Sequence, residues 1–259
     1  MELRFIRYQI TERIAFVTLN RPEKRNALNA GMVEELKQAF TNAAGDEQVK
    51  VIVLKAEGKA FCAGADLEYL MELQENSPME NLTDSQRLKD LFLKISTCPK
   101  AVIAQVQGAA VAGGCGLITV CDLVFSVPEA VFGYTENKIG FVPALVAPFL
   151  LQRAGGARTR ELLLSGNLIP AETAREYGLV NFLSPMGSLE EEVRSYALKL
   201  AAETSAASVA YTKELLAILP GLTQEQALEF SARLNARARA GDDFKKGIQA
   251  FLDNEKPQW

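Results

Sequence analysis

Residues 101–116 read AVIAQVQGAAVAGGCG and contain the clearest structural pattern in this sequence of 259 residues. The apolar run from Ala101 to Val106 is typical of a buried parallel strand. Gln107-Gly108 ends the strand, and Gly113-Gly114 leads into a helix whose first amides have no helical acceptor. A strand, a small-residue turn and a helix in this order predict an α/β fold with parallel strands and crossover helices.

The segments before and after this stretch continue the alternation. Alternating apolar and polar residues at 3–9 and 14–19 predict a β-hairpin. The polar residues 74–84, which include Pro78, predict a mobile surface segment. Local patterns predict the remaining elements of this part, which are a helix capped by Asn29, strands at 51–54 and 123–127, and helices at 66–73 and 85–96.

The sequence from Pro143 onward predicts an almost wholly helical region. Thr223 and Gln226 have the spacing of a capping box before a helix at 227–240. Three earlier helices are predicted at 143–153, 158–165 and 171–177. We therefore predict two parts, an α/β core over residues 1–197 and a helical C-terminal region over residues 198–259.

The composition excludes several classes of function. Hydrophobic residues make up 48% and charged residues 23% of the chain, which is typical of a soluble globular protein. The chain has no histidine, which excludes Ser-His-Asp and Cys-His hydrolases and every histidine-ligated metal or haem site. A net charge of −4 argues against nucleic acid as the main partner.

Four cysteines and the absence of long apolar runs indicate the compartment. Cys62, Cys98, Cys115 and Cys121 contain no C-x-x-C pair, and the first residues lack an apolar signal core. No apolar run reaches the roughly 20 residues that cross a bilayer. We expect a cytoplasmic protein with no membrane partner and no structural disulfide.

Two small-residue loops are suited to bind an anionic oxygen. Residues 61–66 and 108–116 each join a strand to a helix start, where free amides and the helix dipole favour negative charge. Two such sites that converge would form an oxyanion hole. Small residues at these positions also serve tight packing of helix on sheet, and neither loop matches a nucleotide-binding motif.

Four ordered segments resemble the crotonase superfamily, the enoyl-CoA hydratase/isomerase family. These segments are 20–29, 58–67, 108–122 and 132–143, and the tail at 247–257 extends the resemblance over essentially the whole chain. The resemblance implies a crotonase-like spiral of repeated ββα units with a C-terminal helical region that builds a homotrimer or a dimer of trimers. It also implies an acyl-CoA thioester as substrate, with no metal and no cofactor besides the coenzyme A of the substrate.

The resemblance also assigns site residues. It places the two oxyanion-hole amides at Ala65 and Gly113, so the backbone polarises the thioester carbonyl. Lys24 or Arg25 could meet a phosphate, although basic residues in loops are usually only solvated. The positions that line the pantetheine and adenine parts of the ligand in the family correspond to Arg25, Ala27, Ala63, Asp66 and Leu67.

The acid-base residues depart from the family pattern. Typical hydratases carry two glutamates, and here Gly116 occupies the first position while Glu136 occupies the second. One carboxylate suits a Δ3-Δ2 enoyl-CoA isomerase, yet it can also serve both halves of water addition. Methylglutaconyl-CoA hydratases resemble this chain in that glycine and in residues 138–144. We therefore favour an enoyl-CoA hydratase, with isomerase and non-catalytic scaffold or RNA-binding protein as alternatives.

Other residue types near the loops have structural interpretations. Cys62 and Cys115 flank the predicted amides, but buried cysteines usually pack, and no histidine is present to activate them. Tyr134 either contacts substrate near Glu136 or is a buried structural residue. Phe251 is expected to pack in the helical tail or at a subunit contact.

Overall fold

The computed structural model describes residues 3–259, which form two sheets and ten helices. The larger sheet has six strands in the order β1-β2-β3-β4-β6-β9. The first two strands pair antiparallel and the others parallel. Its strands are β1 (Ile6–Thr11), β2 (Ile14–Leu19), β3 (Val51–Ala56), β4 (Ala101–Val106), β6 (Leu123–Ser126) and β9 (Phe182–Leu183).

The smaller sheet is short and carries the loops that matter for function. Strand β5 (Ala110–Val111) pairs parallel with β7 (Val131–Gly133), and β7 pairs antiparallel with β8 (Ile169–Pro170). Cys62 adds a parallel bridge to Ala110 on the other side of β5. Three chain segments therefore run in the same direction side by side at this point.

Ten helices cover the sheets and form the C-terminal part of the described chain. They are α1 (Ala30–Gly45), α2 (Leu67–Glu72), α3 (Pro78–Ser96), α4 (Gly113–Thr119), α5 (Ala147–Ser165), α6 (Ala171–Glu176), α7 (Leu189–Glu203), α8 (Ala206–Ile218), α9 (Gln224–Ala240) and α10 (Asp242–Leu252). Within residues 3–259, none of these helices has the length and apolar character needed to cross a membrane.

The predicted α/β fold class, hairpin and helix caps are confirmed. Strands β1 and β2 form the hairpin, with Ile6 opposite Leu19. The Asn29 side chain accepts from the Met32 amide at 2.9 Å and caps α1. The capping box of Thr223 and Gln226 is also present, although α9 begins at Gln224.

The core lies between the larger sheet and helices α1, α3 and α7. Met32, Leu36 and Phe40 recur at helical spacing on α1, and all three are fully buried. Burial of each such side chain stabilises the fold by about 2 kcal/mol. Phe61 and Cys62, the first residues of the small-residue loop at 61–66, belong to the same buried core.

The prediction of a mobile segment at 74–84 is wrong. Helix α3 begins at Pro78, and the Ser77 hydroxyl and Glu80 carboxylate form a capping box at its start. Proline is well suited to the first helical turn, where its missing N–H has no acceptor to lose. The predicted helix at 85–96 is therefore only the second part of a longer helix.

Two predicted boundaries also shift. The division at residue 198 lies inside α7, whose buried Val193, Ala197 and Ala201 pack against the core, so the helical region begins with α8. Helix α5 begins at Ala147 rather than at 143, and Gly155 interrupts it with a φ of +73°. The predicted division into two domains and the predicted trimer stay predictions.

Candidate active site

Three parallel segments place the predicted functional residues at one edge of the smaller sheet. The bridge between Cys62 and Ala110 and the pairing of Val111 with Gly133 align these segments. Parallel strands end at the same edge, so the residues that follow them emerge together. Ala65 follows the first segment, Gly113 the second and Glu136 the third. We call residues 63–67 the Ala65 loop and residues 108–116 the Gly113 loop.

The Gly113 amide is a free donor within the part of the chain that the structure describes. Gly113 is the first residue of α4, so its N–H has no acceptor within the helix. Nothing else in residues 3–259 accepts from it. The preceding Ala112 has φ +49° and ψ −125°, a conformation that strains a residue with a Cβ, and its own amide donates to the Gly133 carbonyl at 2.7 Å.

The Ala65 amide is free for a related reason. Leu28 donates to the Gly64 carbonyl at 2.7 Å and accepts from the Asp66 amide at 2.8 Å. These two bonds hold the chain on either side of Ala65, and within the described part of the chain its own N–H has no acceptor. The loop is therefore fixed while one donor stays available.

The two loops touch each other directly. Gly64 has a φ of +93°, and a Cβ there would lie 2.8 Å from the Ala112 Cβ and 3.6 Å from the Gly113 nitrogen. A Cβ at Gly114 would lie 2.3 Å from the Cys62 carbonyl oxygen. Glycine is required at both positions because the two backbones approach so closely.

Glu136 has a carboxylate that is poorly solvated. It begins a short 3₁₀ turn, Glu136–Ile139, directly after β7 and Tyr134-Thr135. Its Oε2 atom is buried and has no hydrogen-bond partner among the described residues. Burial raises the pKa of Glu136 above its ordinary value, and a hydrogen bond with its own backbone opposes that rise. A carboxyl group with these properties is suited to exchange protons near neutral pH.

The five predicted ligand-lining positions lie in the Ala65 loop or on the segment at 25–27 beside it, but they differ in accessibility. Ala27 is buried, Ala63 is half-buried and Arg25 is exposed. The Ala63 amide donates to the Arg25 carbonyl at 3.0 Å, which joins the two segments. Leu67 is 73% exposed at the start of α2. Arg25, Ala63 and Leu67 therefore remain accessible to a bound molecule, whereas Ala27 is almost fully enclosed.

Asp66 differs from the other predicted ligand residues because its carboxylate is already occupied. Arg21 Nη1 lies 2.5 Å from Asp66 Oδ2, and the Glu68 amide donates to Oδ1 at 2.9 Å. Burial alone would raise the pKa of Asp66, but the Arg21 and Glu68 hydrogen bonds hold it below the usual range. The Asp66 side chain therefore holds the loop, and its backbone is also engaged, since its amide donates to Leu28 and its carbonyl accepts from Leu70.

Sequence reasoning missed two amide side chains that organise the loops. Asn26 is fully buried, accepts from the Arg21 amide and donates to the carbonyls of Glu57 and Ala60. Gln107 donates to the same region through its Nε2 atom. Position in a loop gives no hint of such long-range bonds, although polar residues inside otherwise small or apolar stretches are a weak signal.

The chain matches a known protein family over most of its length. The sequence model of the protein family described as "Enoyl-CoA hydratase/isomerase" matches residues 9–259. The chain belongs to the enoyl-CoA hydratase/isomerase family. This confirms the resemblance to the crotonase superfamily, and the protein is an enzyme of this family.

Relatives of the enoyl-CoA hydratase/isomerase family match nearly the whole chain. A Thermus thermophilus protein named "Putative enoyl-CoA hydratase" is 43% identical over 246 residues, which are 95% of this chain and 97% of its own. A Shewanella pealeana enoyl-CoA hydratase structure has a TM-score of 0.94 at 28% identity and covers 100% of this chain and 97% of its own. A Mycobacterium smegmatis enoyl-CoA hydratase structure has a TM-score of 0.92 at 32% identity, with 99% of each chain covered.

Gly116, where the chain departs from the pattern of typical hydratases, packs against the ring of Phe92. A Cβ at this position would lie 2.7 Å from Phe92 Cζ, and both residues are buried. The Phe92 ring therefore fills the space that a side chain at position 116 would need. A side chain at position 116 would therefore require the Phe92 ring to shift.

Neither cysteine beside the amides behaves as a nucleophile. Burial raises the pKa of both Cys62 and Cys115 to about 12, so their thiolates are not populated near neutral pH. Tyr134 is fully buried, and its hydroxyl lies 2.6 Å from Thr119 Oγ1. The structural interpretation of all three residues agrees with these surroundings.

Proposed function

We propose that this enzyme of the enoyl-CoA hydratase/isomerase family is a hydro-lyase that adds water to, or removes it from, the α,β double bond of an enoyl-CoA thioester. The observation that carries the proposal is the position of Glu136. Its carboxylate, which has a buried Oε2 atom without a hydrogen-bond partner among the described residues, follows the third of three parallel segments. The first two segments lead to the free amides of Ala65 and Gly113.

The proposed role of the amides follows from the charge that the reaction develops. Attack at the β-carbon, or loss of an α-proton, moves negative charge onto the thioester oxygen as an enolate forms. Two fixed N–H donors at Ala65 and Gly113 stabilise that charge, and each donor contributes about 3 kcal/mol in comparable sites. No side chain is needed at either position.

Glu136 performs the proton transfers in this proposal. As carboxylate it takes a proton from water that attacks the β-carbon, and as carboxylic acid it returns that proton to the α-carbon. Because burial raises its pKa, both protonation states are accessible within one catalytic cycle. A single carboxylate thus completes the addition without a residue at the Gly116 position.

Arg25, Ala27, Ala63 and Leu67 bind the coenzyme A part of the substrate in this proposal, and Asp66 holds the loop beside them. The proposed acyl group is branched or carboxylated, such as methylglutaconyl, because the chain resembles methylglutaconyl-CoA hydratases at Gly116 and over residues 138–144. No separate cofactor or metal takes part in the proposed reaction.

A Δ3-Δ2 enoyl-CoA isomerase is the second candidate. The observation that favours it is the Phe92 ring against Gly116, which leaves one carboxylate at the site. One carboxylate is enough to move a proton between two carbons. A non-catalytic scaffold or RNA-binding protein is less well supported because the net charge is −4 and Glu136 is intact.

Turnover of enoyl-CoA esters in ¹⁸O-labelled water separates these candidates. A panel with straight, branched and carboxylated acyl groups is incubated with wild type, with Glu136→Gln and with Glu129→Gln, a matched change at an exposed glutamate three residues after β6. We expect the label in a β-hydroxyl product, and a loss of about 10²–10⁴-fold in kcat for Glu136→Gln alone. The affinity of Glu136→Gln for acyl-CoA should be nearly the same as that of wild type.

Three results would contradict this proposal. A shifted double bond without label identifies an isomerase, and wild-type turnover in Glu136→Gln removes that residue from the mechanism. Absence of saturable binding of any CoA thioester supports the scaffold.

The pH profile gives an independent check on Glu136. Because the pKa of Glu136 is raised in the folded enzyme, acidification protonates the catalytic carboxylate at a higher pH than for an ordinary glutamate. The pKa of an ordinary glutamate is about 4.3. We expect the acid limb of kcat/KM to lie above that value. A limb at the ordinary position would show that the group which titrates in catalysis is a solvated carboxylate.

A further inference from the structure

A buried pair of hydroxyl groups joins the two halves of the proposed site. Tyr134 lies two residues before Glu136, and Thr119 is the last residue of α4, the helix that begins with Gly113. The Tyr134 hydroxyl lies 2.6 Å from Thr119 Oγ1, and both side chains are buried. One hydrogen bond therefore connects the segment that carries Glu136 to the helix that carries the Gly113 amide.

The bond has a direction. Thr119 Oγ1 donates to the Cys115 carbonyl at 2.7 Å. A threonine hydroxyl has a single proton, so Tyr134 is the donor to Thr119. The resulting chain runs from Tyr134 through Thr119 to Cys115, which lies two residues after Gly113. Water cannot replace these bonds readily because the groups are buried.

Other contacts of the Glu136 segment hold it differently. Asn137 Nδ2 donates to the Leu163 and Leu164 carbonyls of α5, so it fixes the far side of the segment to another helix. The Ala112 amide donates to the Gly133 carbonyl and holds the start of α4. The Tyr134 hydroxyl joins the end of α4 to the residues just before Glu136 through its bond to Thr119.

We propose that Tyr134 and Thr119 are positioning residues that set the Glu136 carboxylate relative to the Gly113 amide, an inference that rests on the proposed function. Both side chains are buried, with Tyr134 0% and Thr119 5% exposed, so the proposed role needs no contact with substrate. Their effect acts through the backbone of Tyr134-Thr135-Glu136. Loss of the bond lets the carboxylate move toward solvent, and small displacements of a catalytic group have large effects on rate.

The test uses substitutions that keep the shape of both side chains. Tyr134→Phe and Thr119→Val each remove a hydroxyl, the double variant removes both, and Thr119→Ser keeps the hydroxyl. We expect kcat to fall about tenfold in each single variant with KM within about twofold of wild type. The double variant should lose no more than either single variant, and Thr119→Ser should remain close to wild type.

A matched control separates this effect from loss of any threonine hydroxyl. Thr204 Oγ1 makes the same bond to the carbonyl four residues earlier, Leu200, at 2.6 Å, but it caps α7 and has no tyrosine partner. Thr204→Val should leave kcat and the acid limb of kcat/KM unchanged. Additive losses in the Tyr134 and Thr119 double variant would overturn the proposal.

Titration of Glu136 by ¹³C NMR provides a readout that does not depend on turnover. In Tyr134→Phe the carboxyl group becomes better hydrated, so its raised pKa should fall toward the ordinary value. An unchanged pKa and unchanged kcat, even with lower thermal stability, would show a purely structural role and overturn the inference. Failure of the proposed function is distinct, because it appears as wild-type turnover in Glu136→Gln or as no hydration in wild type, whatever the titration shows.

Discussion

The Ala65 loop and the Gly113 loop present the same group, a free backbone amide, but are held in place by different forces. The Ala65 loop depends on polar contacts, chiefly the pair of Arg21 with Asp66 and the bonds to Leu28. The Gly113 loop contains no charged residue and depends on close packing against Cys62 and Phe92. Substitutions that remove charge should therefore disturb the Ala65 loop most, and substitutions that add volume should disturb the Gly113 loop most.

The largest expected effect is that of added volume in the Gly113 loop. In Gly114→Ala the new Cβ would lie 2.3 Å from the Cys62 carbonyl oxygen and 2.7 Å from the Cys62 Cβ. Neither atom can move by a change of rotamer, so we expect the free energy of unfolding to fall by about 3 kcal/mol. Urea denaturation measures this loss.

Gly45→Ala is the control for Gly114→Ala. Gly45 ends α1, and no heavy atom lies within 4 Å of the position that its Cβ would take. We expect its stability to be unchanged or higher by about 0.5 kcal/mol. Equal urea midpoints for the two variants would show that packing does not hold the Gly113 loop.

The next effect is that of charge in the Ala65 loop. Asp66→Asn keeps a side chain that caps α2 but removes the charge that pairs with Arg21. The two side chains are only 6% and 13% exposed, so we expect a loss of about 2 kcal/mol in the free energy of unfolding at neutral pH.

The Asp66→Asn difference should also depend on pH. The pKa of Asp66 is lower in the folded protein than in the unfolded chain. Its contribution is therefore complete above the unfolded value, about 3.9, and is lost as the pH falls through the folded pKa. Unfolding free energies of wild type and Asp66→Asn should converge in that acidic range. Glu68→Gln removes an exposed partner of Lys24 and should change stability little at any pH.

The smallest effect on stability is expected at Ala112, where the Gly113 loop is strained. Its φ of +49° and ψ of −125° suit glycine, so Ala112→Gly removes strain while it adds freedom to the unfolded chain. The two contributions oppose each other, and stability should stay within about 1 kcal/mol of wild type. The peptide that aims the Gly113 amide becomes freer to rotate, so kcat should fall several-fold. An unchanged kcat would show that the strain has no role in aiming this donor.

Local signals in the sequence predict much of the fold. The strand at 101–106, the Asn29 cap and the Thr223 capping box depend on neighbouring residues, and all three are confirmed. The start of α3 was predicted wrongly because polar composition outweighed the capping box of Ser77 and Glu80, which the sequence also contains. The boundary predicted at residue 198 lies inside α7, because burial of α7 on the sheet depends on contacts far along the chain.

The features of the site also divide into those that local sequence predicts and those that depend on tertiary contacts. Free amides at Ala65 and Gly113 agree with the small-residue pattern before two helices, whereas their assigned roles came from the family resemblance. The engagement of Asp66 by Arg21 could not be predicted, because the two residues are distant in sequence and charge alone does not select a partner. The ring of Phe92 against Gly116 is likewise a product of tertiary packing.

Burial of Cys62 and Cys115 has a consequence for observing the molecule in solution. Each sulfur lies within one of the two loops or directly beside it, is closed to solvent and has a pKa raised to about 12 by burial. Thiol-modifying reagents can reach them only when the surrounding backbone opens. The native protein thus carries its own pair of chemical reporters, whose reaction rates record how often each donor segment leaves its closed arrangement.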